Sequence, residues 1–178
     1  MRQLVVLFML LLASCTNPSD PRNSLAGGML TTIDKLEASG QLPKLDRSDS
    51  LFGPDVDHDG IRDDIDKYIE VIATEKKYTR QQTMAMRQVA KSKQRIFTLD
   101  LKNGAQVAVV SHEEFRALMC LFFRLGAPGT ADAAQIANYI EAITFNTKKR
   151  FVVYANYDGA LSGSVLSMPA EDETSCDE

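Results

Sequence analysis

The sequence predicts a small, mainly α domain of about five helices that follows a signal peptide and a tether. Apolar residues recur at spacings of three and four, and helix caps and stop signals separate these stretches. The 178-residue chain is 44% hydrophobic and 25% charged, which is enough for one domain with a real core. Its net charge of -4, without a basic patch that interleaves aromatics, argues against a nucleic-acid partner.

Residues 1–14 have the layout of a signal peptide. Arg2 supplies the positive start, residues 4–13 form an apolar core, and small residues precede Cys15. This core is too short to cross a bilayer of roughly 30 Å as a helix. We therefore expect residues 1–14 to be removed, and the loss of Arg2 leaves the mature chain more acidic.

The tetrad Leu12-Ala13-Ser14-Cys15 resembles the lipobox of bacterial lipoproteins. The resemblance implies cleavage before Cys15 and acylation of that cysteine, and three acyl chains hold a membrane far better than one. Thr16 rather than aspartate follows Cys15, which in enteric-type sorting favours the outer membrane. The expected location is the periplasmic face of the cell envelope, at the outer rather than the inner membrane. The alternative, an ordinary secretory peptide, also exports the domain.

After the cysteine, residues 15–28 are rich in Asn, Pro, Ser and Gly and are predicted to form a flexible tether. The helical domain is expected to occupy residues 29–168. Apolar spacing predicts a short first helix that ends at Ser39-Gly40, and it carries Met29, Leu30, Ile33 and Leu36. A second, amphipathic helix is predicted from the one-sided positions of Ile61, Ile65, Tyr68, Ile69 and Ile72.

The middle of the chain leaves two structures open. Thr79 is predicted to cap a helix that runs to about Ile96, with its apolar face formed by Met84, Met86, Val89 and Ala90. Residues 96–110 then alternate apolar and polar side chains around Asn103-Gly104, which favours a small β-hairpin. Residues 105–123 are equally compatible with a helix, and an isolated hairpin is only marginally stable.

Three further helix signals follow. Ser111 and Glu114 match a capping box for a helix through Leu125, expected to fill the core with Phe115, Leu118, Met119, Phe122 and Phe123. Thr130 is predicted to cap the next helix, which carries Ile136, Ile140 and Ile143, and residues 151–161 form the last. Residues 169–178 are expected to be an acidic tail.

Two cysteines, Cys120 and Cys176, remain after lipidation. In an oxidising compartment an even pair predicts one disulfide, which would tie the tail to the core. The entropy model assigns a loop of this length roughly 4 kcal/mol of stabilisation. The alternative is a buried Cys120 and a free thiol in the tail.

The most informative motif is the acidic loop of residues 55–66, which reads DVDHDGIRDDID. Carboxylates occupy positions 1, 3, 5, 9 and 12, and glycine occupies position 6. Ca²⁺ takes six to eight oxygen ligands, and a chain can wrap one ion by offering alternate side chains, a sharp turn and a backbone carbonyl. The predicted ligands are Asp55, Asp57, Asp59, the carbonyl of Ile61, Asp63 directly or through water, and Asp66.

This segment resembles the EF-hand-like calcium loops of dockerins and thrombospondin type 3 repeats, over twelve residues only. Asp66 stands where sensor EF-hands carry a bidentate glutamate, so the resemblance implies a structural site with an affinity of about 0.1 to 1 mM. Two alternatives stay open. The loop could merely cap the following helix, with Asp63 and Asp64 facing its dipole, or the ion could be regulatory and order both the loop and the helix after it only when it is bound.

No catalytic motif is recognisable in the sequence. The two histidines, His58 in the loop and His112 near a predicted helix start, have no evident partner. The whole arrangement resembles small bacterial lipoproteins of unknown function. We therefore expect a lipid-anchored, calcium-binding module that binds a protein partner in the envelope or assists assembly, and not an enzyme. The alternative is a hydrolase-like enzyme, which would require a cavity of convergent carboxylates with raised pKa values, away from the loop.

Overall fold

The computed structural model describes residues 35–40, 43–126, 130–165 and 167–177, and this part of the chain is mainly α. Residues 35–38 are helical. The later helices are α1 (Asp63–Lys76), α2 (Arg80–Arg95), α3 (Gly104–Leu125), α4 (Thr130–Thr144) and α5 (Lys148–Ala160), with 3-10 turns at Ile96–Thr98 and Glu173–Ser175. The described ranges contain no β-strand. The predicted fold class is therefore confirmed.

Helix boundaries follow local chemistry. α1 ends where Lys77 adopts a left-handed conformation and its amide donates to the last turn. Two residues later, Thr79 and Gln82 form a reciprocal capping box that starts α2, as predicted for Thr79. α4 begins at Thr130, which the sequence predicted as its cap. Thr147 caps α5 by accepting from the amide of Arg150.

Helix α2 lies at the centre of the domain, in contact with α1, α3 and α4, whereas α5 packs on α3 and on the turn at Ile96–Thr98. Burial divides the interior into two apolar clusters. The larger cluster contains side chains from α1, α2, α3 and α4, including Ile65, Ile69, Met86, Leu121 and Ile140. The smaller lies under α5 and includes Ile96, Phe97, Val110, Phe145 and Tyr157.

Residues 96–110, for which the sequence left a hairpin and a helix open, form a 3-10 turn and the first part of α3. Asn103 does not enter a hairpin turn; its side chain accepts from the amide of Gln106 and starts α3 at Gly104. The capping box predicted at Ser111 and Glu114 is therefore wrong, because both residues lie inside α3, with Ser111 buried. An Asx cap and a hairpin turn use the same Asn-Gly pair, so the local sequence does not separate them.

The buried faces of two helices also differ from prediction. The core face of α3 is made by Ala117, Cys120 and Leu121, whereas the predicted Phe123 is 38% exposed. Met84 of α2, predicted to face inward, is 39% exposed. The predicted apolar faces of α1 and α4 do lie in the core, in residues Ile61, Ile65, Tyr68, Ile69, Ile136, Ile140 and Ile143.

The C-terminal segment is fastened to the helices. A disulfide joins Cys120 of α3 to Cys176, with 4.9 Å between their Cα atoms. Beside it, the amide of Gln88 donates to the carbonyl of Ser175 at 2.9 Å, and Arg116 contacts the carboxylate of Asp177. The predicted acidic tail is therefore held against α2 and α3 over its described residues.

The predicted signal peptide, lipidated Cys15 and tether of residues 1–28 lie outside the described residues, as do most residues of the first predicted helix. Among the described helices, none is both long enough and apolar enough to pass through a membrane.

Candidate metal centre

The acidic loop lies between an extended segment and the first turn of α1. Its turn depends on Gly60, whose φ of +89° is open to glycine and rare for other residues. Carboxylates organise the backbone around that glycine: Asp55 accepts from the amides of Asp59 and Gly60 at 3.2 and 3.1 Å. Asp59 in turn accepts from the amide of Ile61 at 2.8 Å. The loop therefore curls around its own carboxylates, which is typical of Asx turns.

The five predicted carboxylate ligands fall into two groups of three that share Asp57. One carboxylate oxygen from each of Asp55, Asp57 and Asp63 lies within 4.8 Å of the other two, and the same holds for Asp57, Asp59 and Asp66. Asp57 belongs to both groups, so the two groups form one acidic cluster. These residues could hold a metal ion through hard oxygen ligands.

Asp66 is the member of the cluster that has a carboxylate oxygen without a hydrogen-bond donor among the described residues. Its Oδ2 atom accepts from Arg87 of α2 at 3.1 Å, but its Oδ1 atom is buried and has no hydrogen-bond donor among the described residues. Burial raises the pKa of Asp66 to about 6; the Arg87 charge lowers it, while Asp59, Asp57 and Glu70 raise it further. A buried acceptor without a donor is unfavourable, and a cation at this position would supply the missing partner.

The remaining predicted ligand residues have mixed surroundings. The side chain of Ile61 is only 3% exposed and belongs to the larger apolar cluster, so it fixes the C-terminal half of the loop to the core. Asp63 accepts from the amide of Val56 at 2.9 Å, which closes the loop across its base. From α2, Lys91 extends its aliphatic end toward Gly60 and Arg87 contacts Asp66. Two basic residues thus border five carboxylates.

Arg62 and Asp64, although within the loop sequence, do not join the acidic cluster. The guanidinium of Arg62 pairs with both carboxylate oxygens of Asp64 at 2.5 and 3.0 Å and donates to the carbonyls of Ile143 and Thr144 at the end of α4. The side chain of Arg62 has no exposed surface. The sequence suggested for Asp64 a position facing the helix dipole, whereas the fold gives it a buried partner.

The segment before the loop is held by a second buried arginine. Arg150 of α5 contacts the Oδ2 atom of Asp46 at 2.5 Å and donates to the carbonyls of Asp46, Ser50 and Leu51. The amide of Asp46 donates to Asp64 at 2.7 Å. These bonds link both arginines into one unit, which we call the arginine clamp: Asp46, Arg62, Asp64 and Arg150. The spacing of these residues gave no signal for it, since they are far apart in the chain.

Neither histidine takes part in a site. His58 is exposed in the loop and has a positive φ of 59°, and His112 is exposed on α3 rather than near its start. No protein-family model, curated protein or solved structure matches this chain. The arguments for function therefore rest on the residues themselves.

Proposed function

We propose that this protein is a lipid-anchored, calcium-stabilised helical module on the periplasmic face of the bacterial envelope, which acts by binding and not by catalysis. The observation that carries the calcium assignment is the convergence of five carboxylates beside the buried, unpartnered Oδ1 atom of Asp66. The lipid anchor rests on the tetrad that ends at Cys15.

The donor set favours Ca²⁺ over other ions. It consists of carboxylates on one loop, and Ca²⁺ accepts many oxygen ligands in variable geometry, whereas Mg²⁺ demands a near-ideal octahedron. Neither His58 nor a cysteine belongs to the cluster, so the softer ligands that zinc and copper prefer do not contribute.

A structural role for the ion is favoured over a regulatory one by the second half of the loop. Ile61 is buried in the core, and Arg62 and Asp64 belong to the arginine clamp. These contacts hold the first turn of α1 without help from an ion. We therefore expect Ca²⁺ to order residues 55–60 and to leave the packing of α1 unchanged.

Export and anchoring draw support from the disulfide as well as from the lipobox. Disulfides persist in oxidising compartments such as the periplasm, and Cys120 and Cys176 are joined. A binding role is favoured by exposed apolar residues on α5, where Phe151 and Val152 are 58% and 47% exposed. The partner expected for such a surface is another protein of the envelope.

The hydrolase alternative would need convergent carboxylates able to act as acid and base. A cavity away from the loop does contain Glu114 and Glu141. However, Lys93 contacts both, at 2.9 and 2.6 Å. Burial lowers the pKa of Lys93, but the two glutamates outweigh it and the net shift is upward. One ammonium thus engages both carboxylates, so they do not form a free acid–base pair, which is why we do not propose hydrolysis.

The calcium assignment is tested by thermal unfolding of residues 16–178, which retain every described residue. We expect millimolar Ca²⁺ to raise the melting temperature above its value in Mg²⁺ or chelator, since a ligand of the folded state stabilises it by about 1.4 kcal/mol at tenfold its Kd. The combined Asp55→Asn, Asp57→Asn and Asp59→Asn variant keeps one acceptor oxygen at each position but removes three charges, and it should lose the Ca²⁺ response.

Asp49→Asn is the matched control, because Asp49 is exposed and lies outside the loop. It should respond to Ca²⁺ like the parent protein. An equal response in the triple variant, or no Ca²⁺ effect in the parent, would leave the loop as a helix cap only.

The anchor is tested by Cys15→Ala in the full chain expressed in bacteria. The variant should accumulate as an uncut precursor without acyl chains, because the cysteine thiol is the predicted acceptor. Mass spectrometry of the membrane fraction distinguishes the two forms. Normal cleavage of the variant would contradict the lipobox assignment.

A further inference from the structure

A cavity of about 300 Å³ opens among α2, α3, α4 and α5, at the junction of the two apolar clusters. Its size is near the lower end of ordinary ligand sites. Its walls are apolar and come chiefly from Phe115, Leu118, Phe122, Ala134, Ala137 and Leu161. Phe115 and Phe122, which the sequence predicted to lie in the core, thus line this opening.

One side of the cavity is strongly polar. Lys93 lies between Glu114 and Glu141, with its ammonium 5.7 Å from the ring centre of Tyr154. The hydroxyl of Tyr157 donates to the Oε2 atom of Glu114. Lys93 and Tyr157 therefore direct their donors at the two glutamates, whose carboxylates make this side of the cavity rich in acceptors.

The charges of the cavity do not balance. Lys93 is its one basic residue, against Glu114, Glu141 and the exposed Asp158. The side chain of Glu141 is 35% exposed, so its carboxylate remains accessible from the opening, whereas that of Glu114 is 13% exposed. An anionic ligand would meet uncompensated carboxylates, and a neutral ligand would leave the negative excess unchanged. A cation would reduce it, and aromatic rings nearby favour cations as well.

We propose that this cavity binds a small amphiphilic amine, whose ammonium group contacts Glu141 and Asp158 and whose apolar part lies against Phe115, Leu118 and Leu161. The ligand class follows from three features together: an open cavity of small-ligand size, apolar walls and a net negative polar side. The site is separate from the acidic loop and does not depend on Ca²⁺.

The test uses three probes of matched shape: 2-phenylethylammonium, 2-phenylethanol and 3-phenylpropanoate. Each is titrated into residues 16–178 at constant Ca²⁺ and followed by backbone amide shifts in two-dimensional NMR. We expect the ammonium probe to perturb residues around the cavity with a Kd on the order of 10 mM, given the usual affinity per atom of small ligands. The alcohol and the carboxylate should bind at least about tenfold more weakly.

Two variants assign the site. Glu141→Gln keeps the shape of the side chain and removes its charge, so it should weaken ammonium binding by about tenfold. Glu113→Gln is the control, because Glu113 is the neighbour of Glu114 on α3 but pairs with Arg95 and does not line the cavity. It should bind like the parent.

Ala134→Leu provides an independent steric test, since it fills the opening without changing charge; it should abolish the cavity shifts while the fold is retained. Equal binding of the ammonium and alcohol probes, undiminished binding by Glu141→Gln, or shifts confined to other surfaces would each overturn the proposal. So would the absence of any shift at saturating ammonium probe.

Discussion

The acidic cluster and the arginine clamp are neighbours, and both contain aspartates. They differ in whether each carboxylate has a buried basic partner. In the clamp, Asp46 and Asp64 each contact a guanidinium that has no exposed surface. In the cluster, five aspartates face one another with Arg87 and Lys91 only at the edge. Carboxylates with dedicated buried partners are structural, whereas converging carboxylates without them suit a cation from solution.

The boundary between the two regions lies within the loop sequence itself. Asp63 faces the cluster, and the next residue, Asp64, faces the clamp. The two are the first two residues of α1, where consecutive side chains diverge by roughly 100° around the axis. A single helical step thus separates an ion-binding role from a structural one.

Removing an arginine of the clamp should lower the free energy of unfolding more than any other change proposed here. Arg150→Met would leave the carboxylate of Asp46 and several carbonyls without their donor, and loss of one partner of a buried ion pair costs about 3–5 kcal/mol. Chemical denaturation should show this loss with and without Ca²⁺. Lys149→Met is the control: the exposed Lys149 donates to the carbonyl of Asp49 at 2.7 Å, and its loss should change stability by about 0.5 kcal/mol or less.

The clamp also predicts a pH dependence. Burial alone would raise the pKa of Asp46, but its hydrogen bonds from Arg150 and Ser48 and the Arg150 charge lower it overall. A lowered pKa stabilises the fold above the unfolded value and this contribution disappears as the pH falls through the folded pKa. Arg150→Met should therefore flatten the acid limb of the stability curve; an unchanged limb would contradict the role assigned to Asp46.

A smaller loss of stability is expected from a substitution at Gly53, whose backbone lies against Arg62 of the clamp. Gly53 has a φ of +70°, and a Cβ atom there would lie 2.3 Å from the Cδ atom of Arg62. Gly53→Ala should cost about 1–3 kcal/mol through crowding and strain. Gly40→Ala is a close control, because Gly40 has a φ of +73° and an added Cβ atom would have no atom of the described residues within 4 Å. If both variants lost the same stability, crowding of Arg62 would contribute nothing.

The smallest effect is expected on Ca²⁺ affinity, from a substitution of Arg87 at the edge of the acidic cluster. Arg87 contacts Asp66 at 3.1 Å and Glu70 at 3.9 Å, so its charge opposes a bound cation. Arg87→Met should tighten Ca²⁺ binding by about threefold, a fraction of 1.4 kcal/mol, while stability in chelator falls slightly. Calorimetric titration at low ionic strength measures the affinity. Weaker Ca²⁺ binding would indicate that Arg87 positions Asp66 for the ion.

Predictability differed between helices for a physical reason. The faces of α1 and α4 could be predicted because β-branched and aromatic side chains recur at helical spacing, and only one side of each helix is apolar. In α3, residues 117–123 are apolar without a break (ALMCLFF), so periodicity could not identify which side is covered; Phe122 and Phe123 are adjacent, yet Phe122 is partly buried and Phe123 is exposed. Glu114 was misassigned because its capping pattern is local, whereas its partners are on α2 and α5.

The sequence by itself determined the helical class, the cysteine pair and the set of carboxylates that converge in the loop. These depend on short-range rules: helical periodicity, parity of cysteines, and the spacing with which one loop can present oxygens to one point. Only the tertiary structure decided that Asp64 belongs to the clamp, that Arg62 and Arg150 are buried, and that α3 lines a charged cavity. Those facts depend on residues roughly 20 to 100 positions apart, and no local pattern encodes which of them will meet.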